Sequence, residues 1–97
     1  MPTYITLMRW TQKGVENIKE SPTRLAAAKE AVKAAGGELK AFYLVMGQYD
    51  MVAISEAPSD EAYVTIILAL ASGGAIRTET LRAFTEDEYR KIIAAMP

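Results

Sequence analysis

Tyr49 and Asp50 stand side by side in the stretch Gly47-Gln48-Tyr49-Asp50, and they are the pair in this chain best equipped for chemistry. A lone carboxylate such as Asp50 can carry a proton or accept hydrogen bonds from a ligand, and Tyr49 adds a hydroxyl and an aromatic wall. The same two residues have a plainer use, in which Asp50 accepts backbone N–H groups at a hairpin or pairs with a nearby base while Tyr49 packs in the core. A second group is Arg77, Thr78 and Thr80 in IRTETLRAF. The planar fork of Arg77 suits a carboxylate or phosphate, with the threonine hydroxyls lining the space beside it. Alternatively Arg77 answers a carboxylate such as Asp50 or Glu79 in a polar pair across an edge strand. Trp10, Tyr4, Tyr43 and Met51 complete the set, as walls of an apolar pocket or as plain core and dimer contacts.

Other chemistry is thin. Pro2 would expose a secondary amine if Met1 were removed, as in cofactor-free tautomerases, but a small second residue also simply permits that removal. Glu86, Asp87 and Glu88 are accounted for by helix-start electrostatics, without a metal. The sequence has no His and no Cys, which removes imidazole acid-base chemistry, thiolate nucleophiles, disulfides and the common zinc and haem ligands. No cofactor and no metal are expected. The 11 basic residues are scattered among 12 acidic ones for a net charge of -1, so neither nucleic acid nor an acidic membrane surface is an expected partner. The opening MPTYITLMRW has no leader pattern, and the longest apolar-rich stretch, Ala62 to Ala71, is too short to span a bilayer. A soluble cytoplasmic protein is expected.

These side chains must be held by something, and the stretch from Gly37 to Ala57 is the centre of the scaffold. It reads as two strands joined at Gly47-Gln48 by a two-residue type II′ turn, with Met46 and Tyr49 flanking it. Ala41 to Met46 is apolar without alternation and Met51 to Ile54 nearly so, which requires cover on both faces. Thr3 to Trp10 alternates as a first strand, with large apolar groups on each side. If alternation holds, Trp10, Tyr4, Tyr43 and Met51 lie on the sheet face opposite the helices.

Thr11 to Lys19 reads as a short helical turn weakened by Gly14. Ser21-Pro22 then starts a helix, with Ser21 as cap, a small-residue stripe at Leu25, Ala28, Val32 and Ala35, and a stop at Gly36-Gly37. Arg24, Lys29, Glu30 and Lys33 fall mostly off that stripe as a solvated face. Pro58-Ser59-Asp60-Glu61 opens a second helix, more deeply buried, with apolar stripes at Tyr63, Ile66, Ile67, Leu70 and at Val64, Leu68, Ala71. Gly73-Gly74 closes it. Ile76 to Phe84 is an edge strand, and a capping box at Thr85 and Glu88 starts a terminal helix whose inner face is Tyr89, Ile92, Ile93 and Met96.

The 97 residues bound a single domain, 1–97, and the order strand, helix, strand, strand, helix, strand, helix is α+β. It predicts a ferredoxin-like βαββαβ sandwich with an extra C-terminal helix, an antiparallel four-stranded sheet in the order 4-1-3-2, and both main helices on one face. The other face stays open. Because the hairpin and first strand are apolar on both sides, two sheets are expected to pack face to face in a homodimer or larger homo-oligomer.

The turn G-x-Y-D at Gly47 to Asp50, followed by EAPSDEA and LALASGGAIRTETLRAFTEDE and preceded by Arg9-Trp10-Thr11, resembles the GYD-domain family of small bacterial and archaeal proteins. The likeness covers nearly the whole chain. It implies a ferredoxin-like domain of the dimeric α/β-barrel type and carries no assigned reaction.

Two kinds of function fit the residues. The first is small-molecule binding or sensing by a homodimer, with a pocket between sheet and helices or between the sheets, and Trp10, Tyr43, Tyr49, Asp50, Arg77, Thr78 and Thr80 as candidate contacts. The second is a cofactor-free isomerase or oxygenase of the dimeric α/β-barrel type, with Asp50 or a Tyr as the proton carrier, which rests on analogy of fold. A ligand-free structural or partner-binding dimer is the third reading.

Overall fold

β1 (Thr3–Trp10) is one of the two central strands, hydrogen-bonded along both edges. β3 (Met51–Glu56) lies antiparallel on one side and β4 (Ile76–Ala83) antiparallel on the other. β2 (Glu38–Leu44) pairs with the far edge of β3, so the sheet has four strands in the order β2-β3-β1-β4. That is the order expected from right-handed crossovers. The computed structural model describes all residues from Met1 to Pro97. One sheet face is covered by α2 (Ser21–Ala34) and α3 (Asp60–Ala71), with the short α1 (Gln12–Glu16) after β1 and α4 (Glu86–Ala94) at the end. The result is an α+β fold of the ferredoxin-like type.

Local signals set most of these boundaries. The Thr11 side chain accepts the Gly14 N–H at 3.2 Å and caps α1, while Thr11 N–H donates to Ala75 O at 3.0 Å. Gly14 is required by proximity: a Cβ there would lie 2.1 Å from the Ala75 carbonyl oxygen. α2 ends in a Schellman arrangement, with Gly36 at φ 86° and the Gly37 and Gly36 N–H groups returning to Val32 O and Lys33 O. Ser59 caps α3 through the Ala62 N–H, and Thr85 with Glu88 forms the expected capping box on α4. Hydrogen bonds from Thr85 hold the Glu88 carboxyl below its ordinary pKa. A bulge between Leu39 and Ala41 leaves Lys40 free to bridge Glu38 and Glu56, two like charges placed opposite each other.

Several expectations change on folding. The hairpin turn is longer than two residues: the strands end at Leu44 and Met51, and a bond from Val45 N–H to Asp50 O closes the loop. Gly47 does take a positive φ of 112° within it. Ser21 is not a cap, because a 3-10 turn over Ile18–Glu20 runs directly into α2 and brings the backbone in already helical.

The larger correction concerns faces. Tyr4, Trp10 and Met51 lie on the helix-covered side, not the open side. Tyr4 stacks on Tyr63 of α3 with ring centroids 4.3 Å apart, and its register partners Ser55 and Arg82 share that face. By the same register Thr78 and Thr80 face the helices, while Tyr43 and Arg77 sit on the open side. The second stripe of α3 is likewise not buried, with Val64 and Leu68 exposed.

The face that α4 was expected to turn inward has no partner within the chain. Tyr89, Ile92, Ile93 and Met96 are all about half exposed or more, and α4 contains no buried residue. This projecting helix helps stretch the molecule to 52 × 31 × 18 Å.

Candidate functional site

The sandwich is packed unevenly along its length. Where β1 begins and α3 begins, Tyr4, Val32, Ala57, Tyr63 and Ile66 form a tight core. Polar tips within it are satisfied: Thr6 Oγ1 and Tyr63 OH lie 2.6 Å apart, and Tyr4 OH donates to Asp60 Oδ1. Burial first, and the hydrogen bond to the Asp60 carboxylate second, push the Tyr4 phenol up to about 12. The core keeps it neutral.

Towards the other end, where β1 finishes and α2 starts, the layers do not meet. A cavity of about 250 Å³ opens there between sheet and helices, walled by Met8, Trp10, Phe42, Met51, Leu25 and Leu70 among others. Its origin is legible in the side chains that face it. Ala28 on α2 and Ala53 on β3 line it, so methyl groups stand where larger residues would close the gap, and the exposed Ala27 and Ala69 border it towards solvent.

The lining is mostly apolar; besides Thr6, Ser21 and Ser55 it includes two residues that carry an unpartnered buried nitrogen. Trp10 Nε1 and Arg24 Nη2 belong to cavity-lining residues, and both atoms are buried without a hydrogen-bond partner. Arg24 is anchored by its other nitrogen, Nη1, which donates to Asn17 O at 3.1 Å. It forms no ion pair with any carboxylate of the chain. Asp50 positions the second donor indirectly, since its Oδ2 accepts the Trp10 backbone N–H at 3.0 Å and holds the end of β1. The Asp50 backbone is committed as well, donating to Met8 O and accepting from Val45 N–H.

The remaining candidates separate around this cavity. Tyr49 lies against β1 and β4, with the Arg9 guanidinium 4.8 Å from its ring centroid and its hydroxyl donating to Glu79 Oε2 at 2.6 Å. That bond to a carboxylate raises the Tyr49 pKa. Arg77 is opposite Arg9 in the register and pairs with neither Asp50 nor Glu79, because both are engaged elsewhere. Thr80 Oγ1 lies 3.4 Å from Thr6 Oγ1 on the helix side. Thr78 also faces that side, and Tyr43 is exposed on the open face. Of the sequence candidates, then, Trp10 and Met51 line the cavity, with Asp50 bracing Trp10 from behind.

Arg24 escaped the sequence reading, which assigned it to the solvated face of α2. Its spacing carries the signal: Arg24, Ala28 and Val32 are four apart, so Arg24 begins the inward stripe and does not flank it. No group of His, Cys, Asp or Glu that could hold a metal ion is present.

Sheet order and helix placement define an α+β domain of the ferredoxin-like type, with an apolar cavity between its layers. The chain belongs to the GYD-domain family, whose profile matches residues 4–93. It is 36% identical over 84 residues to a glutamine synthetase and cystathionine beta-lyase binding protein of Thermus thermophilus, spanning 86% of this chain and 88% of that one. A crystal structure of a Thermus thermophilus protein, 28% identical, covers 88% of this chain and 95% of its own with a TM-score of 0.56. A feast or famine regulatory protein of M. tuberculosis shares the fold at 17% identity and a TM-score of 0.63, over 90% of this chain and 54% of the other.

Proposed function

We propose that this chain is a small-molecule-binding domain that works as a homodimer, taking its ligand between sheet and helices. The observation that carries the reading is the cavity of about 250 Å³. Protein interiors are packed nearly as densely as organic crystals, and voids larger than a water molecule are few. A chain that packs Tyr4 against Tyr63 at one end has the means to fill the other, yet sets alanines there. Concave, mostly apolar sites with a few polar groups are the usual form of small-molecule pockets.

Dimerisation is supported by the open face. Ile5, Leu7, Val52 and Ile54 share it in the central strands, with Leu81 and Tyr43 beside them. Sheets with such faces pack against each other about 10 Å apart. The unpartnered row on α4 supplies further apolar surface for a second subunit.

A second reading is favoured by one relative: the 36% identical Thermus protein is named for binding glutamine synthetase and cystathionine beta-lyase. The exposed row on α4 would suit attachment to a partner protein equally well, and attachment is compatible with a ligand-holding cavity.

Native mass spectrometry of gently purified protein, compared with the denatured mass, tests the first reading. A dimer with a reproducible extra mass that is lost on denaturation is expected. A bare dimer would refute the ligand half, and a bare monomer would refute both halves.

A further inference from the structure

Resting on the cavity reading above, we infer that the ligand is a small apolar monocarboxylate, held by Arg24 and Trp10 at its carboxylate and by the apolar walls along its body. A guanidinium cannot shed its charge inside a protein, and a buried donor without a partner is costly. Arg24 Nη2 and Trp10 Nε1 are both in that state, and both residues line one cavity. Nothing in the chain competes for them, since Arg24 enters no ion pair. The cost is relieved if the occupant brings acceptor atoms.

Arg24 gives the acceptor a sign. Its Nη1 bond to Asn17 O fixes the guanidinium, leaving Nη2 free, so an anion is favoured over a neutral carbonyl. One guanidinium and one indole N–H match a single negative charge with two oxygens. Thr6, Ser21 and Ser55 also line the cavity, but Arg24 is its one cation, so of the two charges or so that a phosphate carries near neutral pH one would lack a counter-charge. The body of the ligand is apolar because Leu25, Phe42, Met51 and Leu70 form most of the remaining surface.

Volume limits its size. A cavity of about 150 Å³ accommodates benzene, so one of about 250 Å³ takes about ten non-hydrogen atoms. Phenylacetate and octanoate have that size and are suitable probes. Acetate would leave most of the walls uncovered, and a long-chain fatty acid would extend out of the cavity into solvent.

Trp10 is the sole tryptophan, so its fluorescence reports on the site directly. Phenylacetate and octanoate should be titrated into the protein, freed of bound ligand by refolding, alongside phenylacetamide and octanamide. The acids are expected to change Trp10 emission saturably and to bind about ten-fold or more tightly than the amides, the difference expected of a charged hydrogen bond. Arg24→Gln should erase the preference while leaving binding of the amides in place. Amides that bind as well as the acids, or phenyl phosphate that binds better, would overturn the carboxylate assignment and leave the cavity reading standing. Absence of any saturable binding would overturn both. The acid-to-amide comparison needs only the unmutated protein, so it decides the matter even if Arg24→Gln fails to fold.

Discussion

Replacing Ala28 by Leu should stabilise the protein and abolish ligand binding together. Ala28 lies on the cavity wall, on the inward stripe of α2, where its methyl group faces open space. Leu adds three carbons, and burying each is worth about 0.8 kcal/mol, for about 2.4 kcal/mol in all. Lost rotamer freedom and a slightly lower helix propensity return about 0.7 to 1.2 kcal/mol. A net gain of about 1.5 kcal/mol remains, which for a domain of this size corresponds to about 6 to 12 °C in melting temperature. Differential scanning calorimetry of ligand-free protein measures the gain, and Trp10 fluorescence titration with phenylacetate measures the loss of binding. Inserting the same three carbons into a full core would instead cost about 1 to 3 kcal/mol. A lowered melting temperature would therefore show that the space beside Ala28 is not a cavity, and the binding proposal would lose its foundation.

Asp50→Ala should cost about 1.5 to 3 kcal/mol in urea denaturation, because the Trp10 backbone N–H loses a charged acceptor; Asp50→Asn keeps an oxygen there and should cost less. Equal costs for the two would contradict that role. Gly14→Ala should destabilise by more than about 2 kcal/mol, since its Cβ would stand 2.1 Å from the Ala75 carbonyl oxygen, and a melting temperature unchanged by the substitution would refute the close approach. The folded chain holds the Tyr4 proton more tightly than the unfolded chain does. Its contribution to stability is therefore complete below pH 10 and lost as pH rises toward about 12, a decline that urea titrations should show weakened in Tyr4→Phe. Identical alkaline profiles for the two proteins would refute the burial argument. Leu7→Asp, on the open sheet face, should yield a folded monomer by analytical ultracentrifugation if that face joins two subunits; an unchanged assembly would move the interface elsewhere.

How much of this was legible in the chain depended on the kind of signal. Caps and glycine pairs are local chemistry, so Ser59, Thr85, Glu88 and the Gly36-Gly37 stop marked helix boundaries that the folded chain keeps. Element order then limited the topology to the observed sheet. The orientation of the sheet was not legible, because β1 carries large apolar residues on both sides and alternation cannot say which side meets the helices. Tyr4, Thr6 and Tyr63 decide it through stacking and hydroxyl contacts that span about sixty positions of sequence. Ser21 failed as a cap because the preceding 3-10 turn had already set the backbone.

The cavity shows the same limit. Ala28 reads as helix-forming composition until the helices are laid on the sheet. Only then does the space left by its methyl group become part of a site. Arg24 looked like one more surface cation for the same reason, although its spacing to Ala28 and Val32 already put it on the inward stripe. Tyr49-Asp50, the pair best equipped for chemistry by residue type, serves mainly to hold the hairpin and the end of β1. Asp50 reaches the cavity through Trp10.

The most direct test of the account is a crystal structure of the protein purified from its own source with no ligand added. The account predicts connected non-protein density in the space between Trp10, Arg24 and Met51, with acceptor atoms within hydrogen-bond reach of Trp10 Nε1 and Arg24 Nη2. A site closed by inward rotation of Leu25, Phe42 or Trp10, with Arg24 turned out to solvent, would contradict it.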